Sequence, residues 1–587
     1  MIRNPTPTVW AIIVVLAIAA ALAPMWLGPY GVKFATRIIS LGILVLSLDL
    51  LIGVTGLVSF GHAAFYGLGA YAVWFVSPKD DSADLLKALA LAIGLAGGAA
   101  AIIGAFAVRT RGFYFIMVTL AASQMLYALF HDTRIAGGSD GASIAVKPDL
   151  VIAGVTLIDF YNRNSIYWFG LAALALCYLL TLWLAQTPFG RALQGVRQNE
   201  TRMSALGFET YWFKLTVFVI AGAMAGLGGL VFACIDGFVP PEALGWKQSG
   251  LAIMMVVLGG TGTLHGPIFG AIIYAMLEEA LKSSGIVGAT IADHWAIPMG
   301  LVLIAVVLGA PKGVAGLLPR RAAQKLTPST DEPRIVATTQ RLSVENVGRR
   351  FGGLVAVDGV TLSFEPNKVH AVIGPNGAGK TTFTNLLSGA LPVSAGRIAL
   401  DDEDITALSA AAKARRGIGR SFQRTNVFGD FTVGENCAVA AQARRPGVLR
   451  FGADRLREAE AVGFALDATG LRERAQIRAG DLSHGEQRQL EIAMLIASGA
   501  KILILDEPLA GTGPEETRRV MDLLRALTLD HTIIIIEHDM DAVFSAADTI
   551  SVLVGGRLIA RGAPDDIRRD AAVREAYLGN FGMERAP

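Results

Sequence analysis

The sequence has little cysteine and little charge for its length, and both shortages exclude classes of protein. Only three cysteines, Cys177, Cys234 and Cys437, occur in 587 residues. They lie far apart and fit neither a disulfide framework nor a metal site, so we interpret them as apolar fillers in a reducing compartment. Charged residues make up 17% of the chain and the formal net charge is +2. Nothing in this balance indicates a nucleic-acid partner.

Apolar residues take the place of the missing charge, but they are distributed unevenly. They account for 53% of a chain of 587 residues, which is too long for one hydrophobic core. Their excess lies almost entirely before residue 312. We therefore predict a polytopic α-helical membrane domain at 1–318, a proline-containing linker at 319–340 and a soluble domain at 341–587.

Ten apolar runs in the first domain are candidate membrane spans. Several are shorter than the ~20 residues that a straight spanning helix needs, so we predict that some helices are short or broken. Because many runs follow the first one, we interpret it as an uncleaved span and not as a secretory signal. The runs lie near residues 9–27, 38–58, 59–77, 86–108, 113–132, 166–185, 211–235, 249–262, 264–282 and 291–310.

Three glycine-rich breaks interrupt the apolar runs, at Val58–Tyr71, Ile135–Ser143 and Leu258–Ala271. Non-helical backbone inside a membrane is tolerated where protein buries it or where it lines a wet cavity. The breaks therefore indicate either a solute pathway or close helix packing through small residues such as Gly67 and Gly69. For a single glycine, packing is the favoured interpretation.

Two polar residues stand out within the spans. A carboxylate such as Asp49 costs roughly 2.5–3.5 kcal/mol at the centre of a span, so it is expected to face the interior or pair with a neighbour. His62 is a weaker case of the same kind. Each either contacts the solute or is a structurally satisfied group, and the structural alternative is favoured.

The loop Pro188–Lys214 between two spans predicts a short helix at 195–207. An exposed helix with apolar contacts needs a partner. It lies either on the bilayer surface or in a groove of the soluble domain, and we favour the groove because that domain follows in the same chain. The expected apolar contacts are Val196, Met203 and Leu206, and the polar ones are Arg197, Asn199, Glu200 and Arg202.

The soluble domain contains the loop GPNGAGKT, which follows an apolar strand and leads into a helix. Such a loop curls backbone N–H groups around phosphates, Lys380 reaches the β- and γ-phosphates, and Thr381 ligates Mg²⁺. The helix that starts there adds its positive dipole end. We predict that the loop binds a nucleoside triphosphate through Gly374, Pro375, Asn376, Gly377, Ala378, Gly379, Lys380, Thr381 and Thr382.

Further polar residues follow predicted strands of the same domain, whose strands near 501–505 and 532–536 alternate with helices and predict a mainly parallel α/β core. Asp506 is placed to hold Mg²⁺ and Glu507 to orient or deprotonate the attacking water. Strand ends are where open α/β sheets bind ligands. The other candidates are Ser483 and Gly485 at a helix start, Gln423 in RSFQRTNVF and His538 after IIIIEHD.

Together these motifs resemble an ATP-binding cassette (ABC) ATPase over nearly all of 341–587. GPNGAGKT is similar to Walker A, LSHGE to the signature motif and LILDE to Walker B. The resemblance implies ATP and Mg²⁺ as ligands and head-to-tail pairing of two ATPases. It also implies that Gln423 is the Q-loop residue, catalytic and a Mg²⁺ ligand, that His538 is the catalytic switch histidine, and that Phe351 stacks on adenine.

Two positions depart from the ABC pattern. His484 replaces the usual signature glycine, which is a common variation, and Gly513 occupies a region where many members carry an aspartate. That second departure puts crosstalk between the two ATP sites in doubt.

The membrane half resembles the permease subunits of the branched-chain amino acid importer family, which also includes importers of urea, short amides and aromatic acids. The motifs that carry this resemblance are VSFGHAAFYGLGAY, TRGFYFIMVTLA, GGSDG, GGTGTLHGPIFGA and APKGVAGL. The chain therefore looks like a fusion of a permease with its ATPase. A half-size ABC exporter and an ATP-gated channel or sensor are the alternatives.

The resemblance also implies partners and a location. A second permease and a second ABC ATPase, or a second copy of this chain, would complete the transporter, and an extracytoplasmic solute-binding protein would deliver the solute. Surrounding lipid is expected, and nucleic acid is not. Because the ATPase must face ATP, we expect a bacterial inner membrane protein with residues 187–211 in the cytoplasm and residues 133–165 outside.

Overall fold

Two compact units make up the structure, which is a computed structural model that describes residues 6–77, 83–133, 135–152, 155–283, 293–317, 340–444, 447, 455–510, 513–537 and 540–578. The first, which we call the helical unit, comprises Ile2–Arg197 and Tyr211–Ala322. The second, the α/β unit, comprises Gln198–Thr210 and Ala323–Pro587. The predicted linker, apart from Gln340, lies outside the described residues, so its boundaries stay a prediction.

The described part of the chain has a helix at each of the ten predicted span positions. Two further helices lie in the loop between the sixth and seventh spans. In chain order these helices are α1 Pro7–Leu22, α2 Pro29–Asp49, α3 His62–Val76, α4 Leu85–Ala107, α5 Phe113–Asp132, α6 Arg163–Gln186, α7 Pro188–Gln198, α8 Glu200–Ala205, α9 Thr210–Asp236, α10 Trp246–Gly259, α11 Gly266–Lys282 and α12 Ala296–Gly309.

The spans differ in length, as the sequence predicts. Seven helices among the described residues are long and apolar enough to cross a membrane. By contrast, α3, α10 and α11 have 15, 14 and 17 residues, less than a straight crossing needs. Helix α2 continues as a π-helix, Leu50–Thr55, which ends at Gly56 in the left-handed conformation. The prediction of short or interrupted helices is confirmed at these elements.

Glycines let two helices of the helical unit touch backbone to backbone. A Cβ on Gly69 of α3 would lie 2.0 Å from the carbonyl oxygen of Gly226 in α9, and one on Gly229 would lie 1.8 Å from that of Tyr66. No side chain fits at such distances, so these positions require glycine. At Gly67 an added Cβ would meet Leu244 at 2.6 Å. Close packing is therefore what Gly67 and Gly69 provide.

Short strands pair some of the segments between the helices of the helical unit. Strands β1 and β3 pair in parallel, β3 and β4 pair antiparallel, and β2 pairs antiparallel with β5 through Ala142 and Val239. The last pair joins the segment after α5 to the segment after α9. The strands are β1 Ala83–Asp84, β2 Ala142–Ser143, β3 Pro148–Ile152, β4 Val155–Asp159 and β5 Phe238–Val239.

The α/β unit is built on a six-stranded sheet with the order β11-β12-β13-β8-β14-β15. Its strands pair in parallel except for β15 at one edge. Strands β12 (ILILD) and β13 (TIIII) are buried along their whole length, as apolar strands covered on both faces should be. The predicted parallel core is confirmed. These strands are β8 Val369–Ile373, β11 Ile418–Arg420, β12 Ile502–Asp506, β13 Thr532–Ile536, β14 Thr549–Val554 and β15 Arg557–Gly562.

A second, antiparallel sheet with the order β10-β9-β6-β7 was not predicted. Its strands are β6 Leu342–Phe351, β7 Leu354–Phe364, β9 Ala395–Leu400 and β10 Glu403–Asp404. Both sheets share one apolar core that includes Val344, Phe383 and Ile504. The helices of the unit are α13 Lys380–Leu387, α14 Ala410–Arg415, α15 Val433–Gln442, α16 Arg455–Ala468, α17 His484–Ser498, α18 Pro514–Leu527, α19 Met540–Ala546, α20 Pro564–Arg569 and α21 Ala571–Leu578.

Candidate nucleotide site

The phosphate loop connects β8 to α13 and has the backbone that its glycines predict. Gly377 has a φ of 81°, and a Cβ there would meet nothing within 4 Å. Gly379, at the start of α13, has a φ of 91°, and a Cβ there would lie 2.3 Å from the carbonyl oxygen of Ala356. Only glycine takes up both conformations cheaply. Beside it, Pro375 is half-buried, Asn376 exposed and Ala378 buried.

Lys380 lies folded over this loop. It is largely buried, and its Nζ donates hydrogen bonds to the carbonyl oxygens of Gly374 at 2.5 Å and Pro375 at 3.0 Å. Burial lowers the pKa of Lys380, while the nearby carboxylates of Glu507 and Asp506 raise it. The ammonium group is therefore near enough to both acidic residues to interact with them electrostatically. Thr381 is exposed and Thr382 half-buried on the same first turn of α13.

The two carboxylates come at the end of β12, two strands away from the phosphate loop in the same sheet. Asp506 is buried and its Oδ2 lies 3.5 Å from the guanidinium of Arg420. Burial raises the pKa of Asp506, and Arg420 opposes that rise. The buried Oδ2 therefore already faces a positive charge, and as a carboxylate oxygen it is also a candidate ligand for a metal cation. An oxygen donor of this kind suits Mg²⁺.

Glu507 and Gln423 meet at the same edge of the sheet. The Nε2 of Gln423 donates a hydrogen bond to Oε2 of Glu507 at 3.1 Å. Glu507 has a φ of 48°, a left-handed conformation that is costly for a residue with a side chain and is often found at functional sites. Its own N–H donates to the carbonyl oxygen of Ile536 at 2.8 Å. The structure thus brings together Lys380, Gln423, Asp506 and Glu507.

The remaining predicted site residues make other contacts or lie outside the described residues. Ser483 caps α17: its Oγ accepts from the N–H of Glu486 at 3.3 Å, and its own N–H donates to that carboxylate at 3.0 Å. Gly485 is buried in the first turn of this helix. Phe351 ends β6 with its ring 42% exposed, and the Arg349 guanidinium lies 4.8 Å above it. His538 lies outside the described residues.

Arg488 was not predicted from the sequence, yet its guanidinium hydrogen-bonds the backbone of three residues in or beside the site. Its Nη1 donates to the carbonyl oxygen of Phe422 at 2.7 Å. Its Nη2 donates to those of Gln423 at 2.7 Å and Glu507 at 3.0 Å. The Glu491 carboxylate pairs with Arg488 at 3.0 Å, one turn along α17. The spacing of three residues between opposite charges on one helix was a usable signal.

The loop that precedes α9 differs from its prediction. Instead of one helix at 195–207, the structure has α7 and α8, separated at Asn199, whose side chain caps α8 by accepting from the N–H of Arg202 at 2.8 Å. An Asn at this position favours a new helix start, and the prediction overlooked it. Met203 and Leu206 are buried as predicted. Arg202, one of the expected polar contacts, is 0% exposed.

The two polar residues of the spans each make one hydrogen bond through one side-chain atom, while Asp49 Oδ2 and His62 Nδ1 have no hydrogen-bond partner among the described residues. Asp49 is fully buried, and its Oδ1 accepts a hydrogen bond from the N–H of Gly262 at 2.8 Å. It therefore ties α2 to the glycine-rich segment between α10 and α11. His62 is also fully buried, with its Nε2 2.8 Å from the hydroxyl of Ser47. These hydrogen bonds give both residues a structural role, and contact with the solute stays an open alternative of the sequence analysis.

Family models match both halves of the chain. The "Branched-chain amino acid transport system / permease component" model matches residues 30–308. The "ABC transporter" model matches residues 357–510, and the "Branched-chain amino acid ATP-binding cassette transporter" model matches residues 557–580.

Curated relatives resemble the ATPase half. The high-affinity branched-chain amino acid transport ATP-binding protein BraF of Pseudomonas aeruginosa is 42% identical over 248 residues, which cover 40% of this chain and 97% of BraF. LivG of Escherichia coli K12, which is also a high-affinity branched-chain amino acid transport ATP-binding protein, is 40% identical over 248 residues. These residues cover 40% of this chain and 97% of LivG. A crystal structure of a nucleotide-free ATP-binding cassette from an ABC transporter is 30% identical to this chain. The match covers 40% of this chain and 98% of the cassette, with a TM-score of 0.36.

Proposed function

The chain belongs to the branched-chain amino acid ATP-binding cassette transporter family, and from this premise we propose that it imports leucine, isoleucine and valine with ATP that its own α/β unit hydrolyses. The observation that carries the proposal is the match of a permease model to residues 30–308 and a cassette model to residues 357–510 of one chain. Permease and ATPase are thereby joined covalently.

The α/β unit supplies the residues for hydrolysis. The backbone N–H groups of the loop 374–379, apart from Pro375, which has none, and the Lys380 ammonium bind the phosphates and neutralise their charge, which is most of what phosphoryl transfer requires. Glu507 orients or deprotonates the attacking water, and Gln423 fixes its carboxylate through the 3.1 Å hydrogen bond. We assign adenine stacking to Phe351, the switch role to His538, and contact with the ATP of a paired cassette to Ser483 and Gly485.

A magnesium ion is part of the proposal. The oxygens of Thr381, Asp506 and Gln423 would hold it, and their chemistry fits that role because a hydroxyl, a buried carboxylate and an amide oxygen are ligands that suit Mg²⁺. When bound, the ion neutralises charge between the β- and γ-phosphates. Its removal with a chelator is expected to abolish hydrolysis.

A complete transporter requires more than this chain. We propose that it assembles with a second permease and a second ABC ATPase, or with a second copy of itself, and receives amino acids from an extracytoplasmic binding protein. The proposed location is the bacterial inner membrane, with the α/β unit in the cytoplasm.

Uptake of radiolabelled leucine by a host strain lacking its own branched-chain amino acid importers tests the proposal. The strain carries this chain together with the proposed binding protein, second permease and second ABC ATPase. We expect accumulation against a gradient, competed by isoleucine and valine and lost in Glu507→Gln. Competition only by urea, an amide or an aromatic acid would exclude the proposed substrate. Efflux instead of uptake would favour the exporter, and equilibration without accumulation the channel.

A further inference from the structure

Arg202 lies deep in the α/β unit although it belongs to the loop before α9. Its side chain is 0% exposed. Nη1 donates to the carbonyl oxygen of Arg420 at 3.1 Å, and Nη2 donates to that of Glu491 at 3.4 Å. The guanidinium also lies 5.9 Å from the centre of the Phe422 ring. A buried arginine is costly unless its charge is paired.

Glu491 provides that charge and shares it with a second arginine. Its carboxylate lies 3.7 Å from Arg202 and 3.0 Å from Arg488, and it is itself 1% exposed. It also accepts a hydrogen bond from the N–H of Asn426 at 3.2 Å. One buried carboxylate therefore links the arginine of α8 to the arginine that binds the carbonyl groups of Gln423 and Glu507.

We propose that Arg202 is a positioning residue for ATP hydrolysis, acting through Glu491 and Arg488 on the backbone of Gln423 and Glu507. The inference rests on the proposed ATPase function and assigns a role to a residue outside the nucleotide site. Arg202 docks the segment 198–210, which continues directly into α9. Removing it frees Glu491 to shift towards Arg488, and the left-handed backbone at Glu507 loses part of its support.

A second arginine of the α/β unit offers a matched control. Arg415 also binds the segment 198–210: its guanidinium donates to the carbonyl oxygen of Gly207 at 2.9 Å and to the Glu209 carboxylate at 2.9 Å. Its side chain is 33% exposed, however, and these contacts lie at the surface. Arg415→Met weakens the docking of the same segment without touching Glu491.

The test compares Arg202→Met and Arg415→Met in the full-length protein, purified in lipid nanodiscs with its accompanying subunits. We expect Arg202→Met to lower kcat for ATP hydrolysis about 10-fold while KM and the Kd for ATP stay within about 2-fold, because phosphate contacts are unchanged. Arg415→Met should keep kcat within about 2-fold of the wild type. Combining Arg202→Met with Glu491→Gln should add little to the larger single loss, since both act on one network.

An unchanged kcat in Arg202→Met, or an equal loss in Arg415→Met, would overturn the inference. If Arg202→Met fails to bind ATP, Arg202→Lys replaces it: lysine keeps a cation beside Glu491 but cannot fork to both carbonyl groups. At least about a 3-fold loss of kcat is then expected, and wild-type kcat would overturn the inference. A wild type that hydrolyses no ATP would instead refute the proposed function.

Discussion

At the scale of single residues, the site depends on groups whose surroundings fix one conformation. Glu507 combines a left-handed backbone, a hydrogen bond from Gln423 and a carbonyl contact with Arg488. Such backbone strain persists only where neighbours hold it in place. We therefore expect that an isosteric side chain can replace that of Glu507 without altering the phosphate loop, because the loop follows β8 and Glu507 follows β12.

Glu507→Gln is expected to retain ATP binding and lose turnover. Glutamine keeps the shape of the side chain but cannot accept a proton from water, and general-base contributions are typically 10²- to 10⁴-fold. We expect kcat to fall by at least about 100-fold with the Kd for ATP nearly unchanged, measured by phosphate release and nucleotide binding. Lys380→Ala is the contrasting control and should weaken ATP binding. Hydrolysis at the wild-type rate in Glu507→Gln would remove Glu507 from its role.

Lys413 should make stability depend on pH. It is 1% exposed, and its Nζ donates to the carbonyl oxygens of Leu386 at 3.0 Å and Leu387 at 3.2 Å, at the end of α13. Burial lowers the pKa of Lys413 to about 8, below its value in the unfolded chain. Between about pH 8 and pH 10 the folded state therefore binds fewer protons than the unfolded chain. The free-energy cost of burying the charged ammonium is present in full below about pH 8. This cost is relieved as the pH rises towards about 10.

Unfolding temperature measured from pH 7.5 to 10 checks this prediction. Relative to Lys413→Met, the wild type should gain stability as pH rises, by at most about 3 kcal/mol, because one pKa unit corresponds to about 1.4 kcal/mol. Lys501→Met, at an exposed position, is the control and should follow the wild type. Parallel curves for wild type and Lys413→Met would contradict the prediction.

At the scale of elements, the sequence predicted what is local and missed what depends on distant partners. The phosphate loop, strands β12 and β13, and all ten span positions follow from short patterns. The complete burial of Arg202 and its pairing with Glu491 did not follow from such a pattern, because an arginine in a loop helix ordinarily faces water. Its partner Glu491 lies 289 residues later in the chain. Likewise, hydrophobic runs locate α3 and α9 but do not show which glycines bring them into contact.

Gly69→Ala should disrupt the contact between α3 and α9. The added Cβ would lie 2.0 Å from the carbonyl oxygen of Gly226, and because this atom belongs to the backbone the helices must separate. We expect a clearly lower unfolding temperature in detergent and reduced transport. Gly94→Ala in α4 is the matched control, since a Cβ there meets nothing within 4 Å. Equal stability of the two variants would show that the contact does not matter.

At the scale of the whole molecule, chain connectivity predicts which segments share a side of the membrane. Residues 198–210 belong to the α/β unit, so we expect them on the side where ATP is. Helices α6 and α9 flank this segment and have 24 and 27 residues, enough to cross. At their other ends, α6 is preceded and α9 is followed by segments that pair with each other through Ala142 and Val239. We therefore predict that these segments lie on the opposite side of the membrane.

Labelling with a membrane-impermeant maleimide tests this orientation. The native cysteines Cys177, Cys234 and Cys437 are buried, so a cysteine introduced at an exposed position should dominate the reaction. In right-side-out vesicles we expect Ser139→Cys, between α5 and α6, to react at once, and Asp402→Cys, in the α/β unit, to react only after the vesicles are opened. Both positions are exposed, so differences in reactivity reflect the side of the membrane. The reverse order would place the ATPase outside, where it would have no ATP, and would refute the proposed direction of transport.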